Sequence, residues 1–169
     1  MFTHQNENGG NCMKLIAFDQ STTATGWALT DQQTGELLEY GVIKPKPSDP
    51  TNDRIRYTIK YCMTLCQKHQ PTFVFIEGIQ VQKNPRVYEI LAKLQGTLEI
   101  VLEERNYIVN VIKAAEWRKR VGITSRKRDE LKSEAMKMVS DIYGIQPSED
   151  ECEAILFARA FSNLESNDS

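Results

Sequence analysis

The stretch KLIAFDQSTTATGWALTD, Lys14 to Asp31, predicts how the fold begins. KLIAF and GWALTD are typical of β-strands, and the segment DQSTTAT between them is rich in turn-forming residues. ELLEYGVIKP then predicts a third strand that ends at Pro45. One carboxylate, that of Asp19, stands where the first apolar strand ends. It is therefore the first candidate for a functional side chain.

The rest of the chain alternates helical and strand patterns. Apolar residues recur at helical spacing from Ile55 to Cys66, and TFVFIEG predicts a short strand buried on both faces. A long helix is predicted from Pro85 to Glu104, NYIVNVIKA predicts a fifth strand, and residues 125–143 predict a charged amphipathic helix. A last helix begins in PSEDECEAILFARAF. This order predicts an α/β fold, with a five-stranded mixed sheet flanked by helices.

Length and composition predict one soluble domain. The chain has 169 residues, of which 40% are hydrophobic and 26% are charged. No apolar run approaches the roughly 18 residues that a membrane span needs, so we expect no membrane insertion. We expect residues 1–12 to be a disordered leader, residues 13–165 to form the domain, and residues 166–169 to be a flexible tail. The leader lacks the order of a signal peptide, so we expect a cytoplasmic protein.

Four acidic residues are candidates for one site. Asp19 and Glu77 each follow a predicted buried strand, and ligands of α/β sheets collect at strand ends. In the last helix, Glu153 falls on the inward apolar side, and Asp150 lies close enough around the helix to share its site. Glu149 also falls near that side and remains an alternative.

The same helix contains a fifth acid with a different predicted role. Glu151 points roughly away from Glu153, and its spacing from Ser148 predicts a capping box. We therefore expect Glu151 to stabilise the start of the helix and not to contribute to the site.

The residue types indicate a hard metal ion. The four cysteines include no C-x-x-C pair and there are two histidines, so a zinc site is not expected. Carboxylates gathered in one place raise each other's pKa values unless a cation neutralises them. Carboxylate ligands select Mg²⁺, for which Mn²⁺ can substitute, and such ions can catalyse phosphodiester hydrolysis.

Positive charge is concentrated in one part of the chain. The formal net charge is −2, yet the segment from Lys113 to Lys137 has nine basic residues against four acidic ones. Such a segment can grip a nucleic-acid backbone, although it can also be a solvated helix face. Trp117 beside it can stack on a base or pack at a strand end. The candidate phosphate-binding residues of this segment flank the turn VGITS, and they are Arg118, Lys119, Arg120, Arg126, Lys127 and Arg128.

A second, smaller polar loop lies between the predicted fourth strand and the long helix. It contains Lys83, Asn84 and Arg86, which we also predict to contact nucleic acid, although such residues can also be the ordinary polar residues of a loop.

Three motifs together resemble one family. FDQSTTATGWAL resembles a motif in which Asp is followed by a turn and then by Thr-Gly-aromatic. FIEGIQVQKNPRVYEILAKLQG resembles a second motif, with Ile-Glu, a loop bearing Lys-Asn, and a helix bearing Gln-Gly. EDECEAI resembles the last motif, two acids at i and i+3 that open a helix. These are motifs of the RuvC family of Holliday junction resolvases, which have the ribonuclease H-like fold, and the resemblance runs from about Lys14 to Phe161.

This resemblance implies an activity and a partner. It implies that Asp19, Glu77, Asp150 and Glu153 hold two divalent ions per site, and that Lys132 lies near the scissile phosphate. It implies a homodimer, joined through the helix 85–104, that makes paired nicks with 5′-phosphate ends in four-way DNA junctions, and it implies no nucleotide cofactor. We expect Ile90 and Leu94 to be exposed members of the apolar stripe through which this helix joins two protomers. Gln80, in place of an aromatic residue, and about four extra residues before Lys132 look more like the phage branch of the family. If a phage encodes the protein, we expect it in the host cytoplasm.

Other functions are compatible with these residues. A nuclease of the same fold can act on forks, flaps, three-way junctions or RNA hybrids, and a non-catalytic protein can bind junctions without cutting them. AFDQSTTATGWAL also resembles the first phosphate loop of actin-like sugar kinases. Those enzymes need two such domains around a nucleotide, and no second Asp-Gly phosphate loop follows here.

Overall fold

The computed structural model describes residues 12–162 and shows five strands in one mixed sheet. The spatial order is β3-β2-β1-β4-β5. The first three strands pair antiparallel as a meander, whereas β4 runs parallel to both β1 and β5. The strands are β1 (Lys14–Asp19), β2 (Thr25–Asp31), β3 (Leu37–Ile43), β4 (Phe73–Gly78) and β5 (Ile108–Lys113). The predicted five-stranded mixed sheet is confirmed.

Helices cover both faces of the sheet. They are α1 (Thr51–His69), α2 (Pro85–Glu103), α3 (Ala114–Val121), α4 (Arg128–Tyr143) and α5 (Glu149–Ala160). Alternate residues of β1 belong to different cores, as the two-residue period of a strand requires. Ile16 and Phe18 pack with α1 and α2, and Leu15 and Ala17 pack with α3, α4 and α5. None of the helices described is long and apolar enough to cross a membrane.

The sheet register brings two of the predicted acids side by side. Phe18 of β1 is the partner of Ile76 of β4, and both strands run in the same direction. Asp19 and Glu77 are the next residues along each strand. Their carboxylates therefore emerge at the same edge of the sheet.

Gly26 lets α5 lie very close to β2. A Cβ atom added at this glycine would be 2.1 Å from the carbonyl oxygen of Asp150 and 3.3 Å from Cβ of Ala154. Because the backbone itself occupies the space of a side chain, only glycine fits here. Gly26 also pairs with Asp19 in the sheet, so this contact seats the first turn of α5 directly over the first acid.

The helix α3 is absent from the sequence prediction, and α4 begins at Arg128 and not at residue 125. The apolar pattern of β5 continues into Ala114, so the sequence predicted one longer strand. The segment is helical because it buries Trp117 completely against the core, and Gly122 ends it in a left-handed conformation with φ 83°. The turn VGITS follows, as predicted.

One prediction about α2 is wrong. Leu94 was expected to be an exposed member of an intermolecular stripe, yet it is wholly buried with Leu98 and Leu102 in the core of its own domain. The apolar side chains of α2 that reach solvent include Val87 and Ile100.

The predicted domain boundaries are not tested. The predicted tail 166–169 and all of the predicted leader except Cys12 lie outside the described residues.

Candidate metal-dependent nuclease site

The four predicted carboxylates line one cavity of about 640 Å³. Asp19 ends β1 and Glu77 lies near the end of β4, so the parallel pairing of these strands positions both. Asp150 and Glu153 lie in the first turns of α5, three residues apart and on one side of the helix. Sheet and helix thus bring together acids that are up to 134 positions apart in the chain.

The negative charges of these acids are not fully offset by neighbouring cations. Burial raises the pKa of Asp19 well above its ordinary value, and the charges of Glu77, Glu153 and Asp150 raise it further. Burial also raises the pKa of Glu77. A cation within the cavity would reverse this effect, because it would stabilise the ionised carboxylates.

Trp117 holds one of the four carboxylates. Its indole Nε1 donates a hydrogen bond of 2.6 Å to Oε2 of Glu77, and this bond lowers the pKa of Glu77 against the effect of burial. The sequence left open whether Trp117 stacks on a base or packs. The structure shows packing, with the ring wholly buried, and adds a role that the sequence analysis missed. This role could have been predicted from the rule that a buried indole needs an acceptor for its N–H group.

Arg118 lies inside the cavity. Its Nη2 is 3.3 Å from Oε1 of Glu153, and its guanidinium lies 5.3 Å from the centre of the Trp117 ring. The sequence grouped Arg118 with five neighbouring basic residues as a phosphate-binding candidate. Its observed partner is instead one of the acids.

Two glutamines connect the strand ends to α2. Nε2 of Gln20 donates to the backbone oxygen of Glu77 at 2.9 Å and to Oε1 of Gln95 at 3.1 Å. The same oxygen of Gln95 accepts a 2.9 Å bond from the backbone N–H of Ile79. These bonds fix the segments that follow Asp19 and Glu77 relative to each other. The sequence analysis noted Gln95 as part of a motif but did not predict this role.

Lys132 lines the cavity from α4, as its predicted role requires. It donates a 2.5 Å hydrogen bond to Oε2 of Glu149, which raises the pKa of Lys132 and keeps it protonated. Glu149 is not among the residues that line the cavity, so its observed role is to bind this lysine.

The prediction for Glu151 is confirmed. The backbone N–H of Ser148 donates to Oε2 of Glu151 at 2.8 Å, and Oγ of Ser148 accepts from the backbone N–H of Glu151, which completes a capping box.

The remaining predicted DNA contacts divide into two sets. Arg126 and Arg128 line the cavity. The others lie outside it on exposed surface: Lys83, Asn84, Arg86, Lys119, Arg120 and Lys127. Some of these already have partners within the protein. The side chain of Asn84 caps α2 by accepting from the N–H of Arg86 at 3.0 Å, and Arg120 lies 4.4 Å from the ring centre of Phe161.

The chemistry of the donor set fits hard divalent ions. The cavity is lined by four carboxylates and, among the described residues, by no cysteine or histidine. In the side-chain positions shown for residues 12–162, no three acidic, cysteine or histidine groups lie close enough to hold one ion. In these positions Glu77 is bound to Trp117 and Glu153 is bound to Arg118.

Sequence comparison finds one family. The family model described as crossover junction endodeoxyribonuclease RuvC matches residues 15–158. The RuvC protein of Myxococcus xanthus is 25% identical over 112 residues, which are 65% of this chain and 59% of that protein. The RuvC protein of Dehalococcoides mccartyi is 22% identical over 162 residues, which are 91% of this chain and 98% of that protein.

Solved structures show the same fold. Thermus thermophilus RuvC in complex with a Holliday junction substrate superimposes with a TM-score of 0.71 at 17% identity, covering 88% of this chain and 91% of that one. The yeast mitochondrial Holliday junction resolvase Ydc2 gives a TM-score of 0.59 at 12% identity, covering 90% and 79%. The family model spans most of the chain, and the acids of its three motifs converge on one cavity. This chain belongs to the RuvC family.

Proposed function

We propose that this protein is a metal-dependent endonuclease that resolves four-way DNA junctions. The observation that carries the proposal is the convergence of Asp19, Glu77, Asp150 and Glu153 on one cavity, with Lys132 beside them. RuvC enzymes are metal-dependent nucleases, and the proteins with the matching fold include one solved with a Holliday junction. We place the activity in the cytoplasm.

The four acids, Lys132 and Trp117 each have a proposed role. Asp19, on which the charges of the other three acids all act, would hold two Mg²⁺ ions together with Glu77, Asp150 and Glu153. Bound there, the ions would activate water and stabilise the leaving oxygen in phosphodiester hydrolysis. Lys132, which is kept protonated by Glu149, would neutralise the charge that develops on the scissile phosphate. Trp117 keeps the carboxylate of Glu77 in orientation by the indole hydrogen bond.

DNA would enter along the basic surface around the cavity. Arg126 and Arg128 line the opening, and Lys119 and Lys127 extend the positive charge over the exposed surface beyond it. Such contacts are made to phosphates, so they would hold a junction without reading its sequence.

A homodimer suits a junction with near two-fold symmetry, because two identical sites can make the paired nicks. The exposed side of α2 is the proposed interface, since Ile100 leaves 57% of its surface in solvent and Val87 leaves 41%. Replacing Ile100 with Glu should give a folded monomer that makes single, unpaired nicks. Sedimentation that shows an unmodified protein to be monomeric, alone and on a junction that it resolves, would exclude this interface.

The proposed activity is tested by comparing two carboxyl-to-amide variants. Asp19→Asn should abolish Mg²⁺-dependent cutting of a four-way junction, while junction binding stays equal or becomes slightly tighter because a negative charge is lost. Glu151→Gln is the matched control, since Glu151 lies in the capping box. It should cut normally and lose about 1 kcal/mol of stability. Normal cutting by Asp19→Asn, or an inactive Glu151→Gln, would contradict the assigned site.

The substrate range is measured in the same assay. Four-way junctions, three-way junctions, flaps, linear duplexes and RNA hybrids are compared at equal concentration, and the ends of each product are analysed for 5′-phosphates. Preference for forks or hybrids would indicate a broader nuclease of this fold. Junction binding with no cutting of any substrate would indicate a non-catalytic binding protein.

A further inference from the structure

Among residues 12–162, Arg118 is the cation that directly contacts one of the four acids in the cavity. Its guanidinium is 3.3 Å from Glu153, and the two side chains are 23% and 15% exposed. Lys132, which also lines the cavity, is bound to Glu149. Arg126 and Arg128 also line the cavity but lie on exposed surface. In the part of the chain that the structure describes, Arg118 therefore offsets the negative charge of the cluster most directly.

The position of Arg118 is built into the fold. It follows Trp117, which is wholly buried and donates to Glu77. The guanidinium also lies against the Trp117 ring, 5.3 Å from its centre, which is favourable for a cation over an aromatic face. Consecutive residues of the short helix α3 thus bind two of the four carboxylates.

We propose that Arg118 is an internal counter-cation of the metal site: it neutralises Glu153 in the metal-free protein and leaves that carboxylate when a divalent ion binds. This inference rests on the proposed function of the cavity. The physical reason is competition, because a carboxylate bound to a guanidinium offers fewer free lone pairs to a metal, and the guanidinium repels the ion. Arg118 therefore stabilises the metal-free protein and weakens metal binding.

The released guanidinium has a second use. Once it leaves Glu153, it lies in the cavity beside the acids, where a planar fork of N–H donors can bind a phosphate. Metal binding then favours DNA binding, and DNA binding favours metal binding by the same factor. Arg118 thus links the two events, which also accounts for a phosphate-binding candidate being found among carboxylates.

The test measures Mn²⁺ binding by calorimetry without DNA, for the unmodified protein and for Arg118→Gln. The variant should bind Mn²⁺ about tenfold more tightly, because it lacks a positive charge next to the ion. Its thermal midpoint in EDTA should be lower than that of the unmodified protein, and saturating Mn²⁺ should reduce the difference. Lys137→Gln removes an exposed charge from α4, and it should leave both the affinity and the midpoint unchanged.

A second measurement needs no destabilising change. The side-chain Nε–H resonance of Arg118, assigned from its loss in Arg118→Lys, should shift when Mg²⁺ is added to the unmodified protein. The shift should saturate at the Mg²⁺ concentration at which Mg²⁺ binding, measured by calorimetry on the same protein, is complete.

Three results separate the inference from the function on which it rests. Unchanged or weaker Mn²⁺ binding by Arg118→Gln, with normal binding and cutting by the unmodified protein, would overturn the inference alone. An Arg118 resonance that does not move under saturating Mg²⁺ would do the same. If the unmodified protein neither binds Mn²⁺ nor cuts any junction, both the inference and the proposed function are wrong.

Discussion

Replacing Gly26 with Ala should disable the site without touching any of its carboxylates. The added Cβ would lie 2.1 Å from the carbonyl oxygen of Asp150, whereas ordinary contacts of Cβ atoms begin at 3.4 Å. The first turn of α5 must therefore move away from β2 by about 1.3 Å, the difference between these distances. Asp150 and Glu153 would move with it, away from Asp19.

Two magnitudes follow from this displacement. Forcing an extra methyl group into a packed interface costs about 1–3 kcal/mol of folding free energy. A misplacement of about 1 Å at a catalytic centre can lower the rate about 100-fold. Gly26→Ala should therefore remain folded, with a lower midpoint of urea unfolding, and should lose about two orders of magnitude in single-turnover cutting of a four-way junction.

The matched control is Gly41→Ala in β3. Its added Cβ would lie 2.9 Å from Nε1 of Trp27, a side-chain atom, and Trp27 is not among the cavity-lining residues. This variant should lose some stability and keep its cutting rate. If Gly26→Ala cuts and binds Mn²⁺ as well as Gly41→Ala does, the seating of α5 on Gly26 does not position the acids, and the reasoning is refuted.

Three further predictions concern separate parts of the site. Trp117→Phe should keep the packing but remove the hydrogen bond to Glu77, so that the pKa of Glu77 rises and the acid limb of the pH–rate profile moves to higher pH. An unmoved limb would show that the indole does not act on Glu77. Neutralising Lys119, Lys127 and Arg128 together should lower the slope of log affinity for DNA against log salt by about 0.9 per lost phosphate contact, measured by fluorescence anisotropy. An unchanged slope would place the DNA elsewhere. In EDTA, the stability of the unmodified protein should fall as the pH rises from the ordinary pKa of Asp19 towards its raised value, because the folded state binds the extra proton. Measured by urea unfolding, Asp19→Asn should lose less stability over this pH range than the unmodified protein and should be more stable at neutral pH. An identical pH dependence of the two proteins would contradict the raised pKa.

Sequence patterns were sufficient where a local period or a local cap decides the structure. The strands β1 and β4, the helix α2 and the Ser148–Glu151 capping box all follow from residues close together in the chain. The same holds for the inward direction of Glu153, since the phase of a helix is set by residues three and four positions away. The candidate acids could therefore be chosen before the fold was known.

Local pattern failed where a tertiary contact determines the conformation. The helix α3 is short and half of its residues are charged, and burial of Trp117 in a core made by other elements holds it in place. Leu94 has the apolar character of an interface residue, and only the packing of α2 on its own sheet shows that it is buried. The partners of Trp117 and Arg118 come from β4 and α5, so no window of sequence contains them.

The sequence by itself determined the order of the five strands and of the helices other than α3, the identities of the acids and the concentration of positive charge, because these depend on composition and short-range periodicity. The tertiary structure decided which groups share the cavity and what each carboxylate is bound to. The physical reason is that hydrogen bonds and ion pairs act over about 3 Å, whereas their partners here are tens of residues apart along the chain. Strand register and the close contact at Gly26 set those distances.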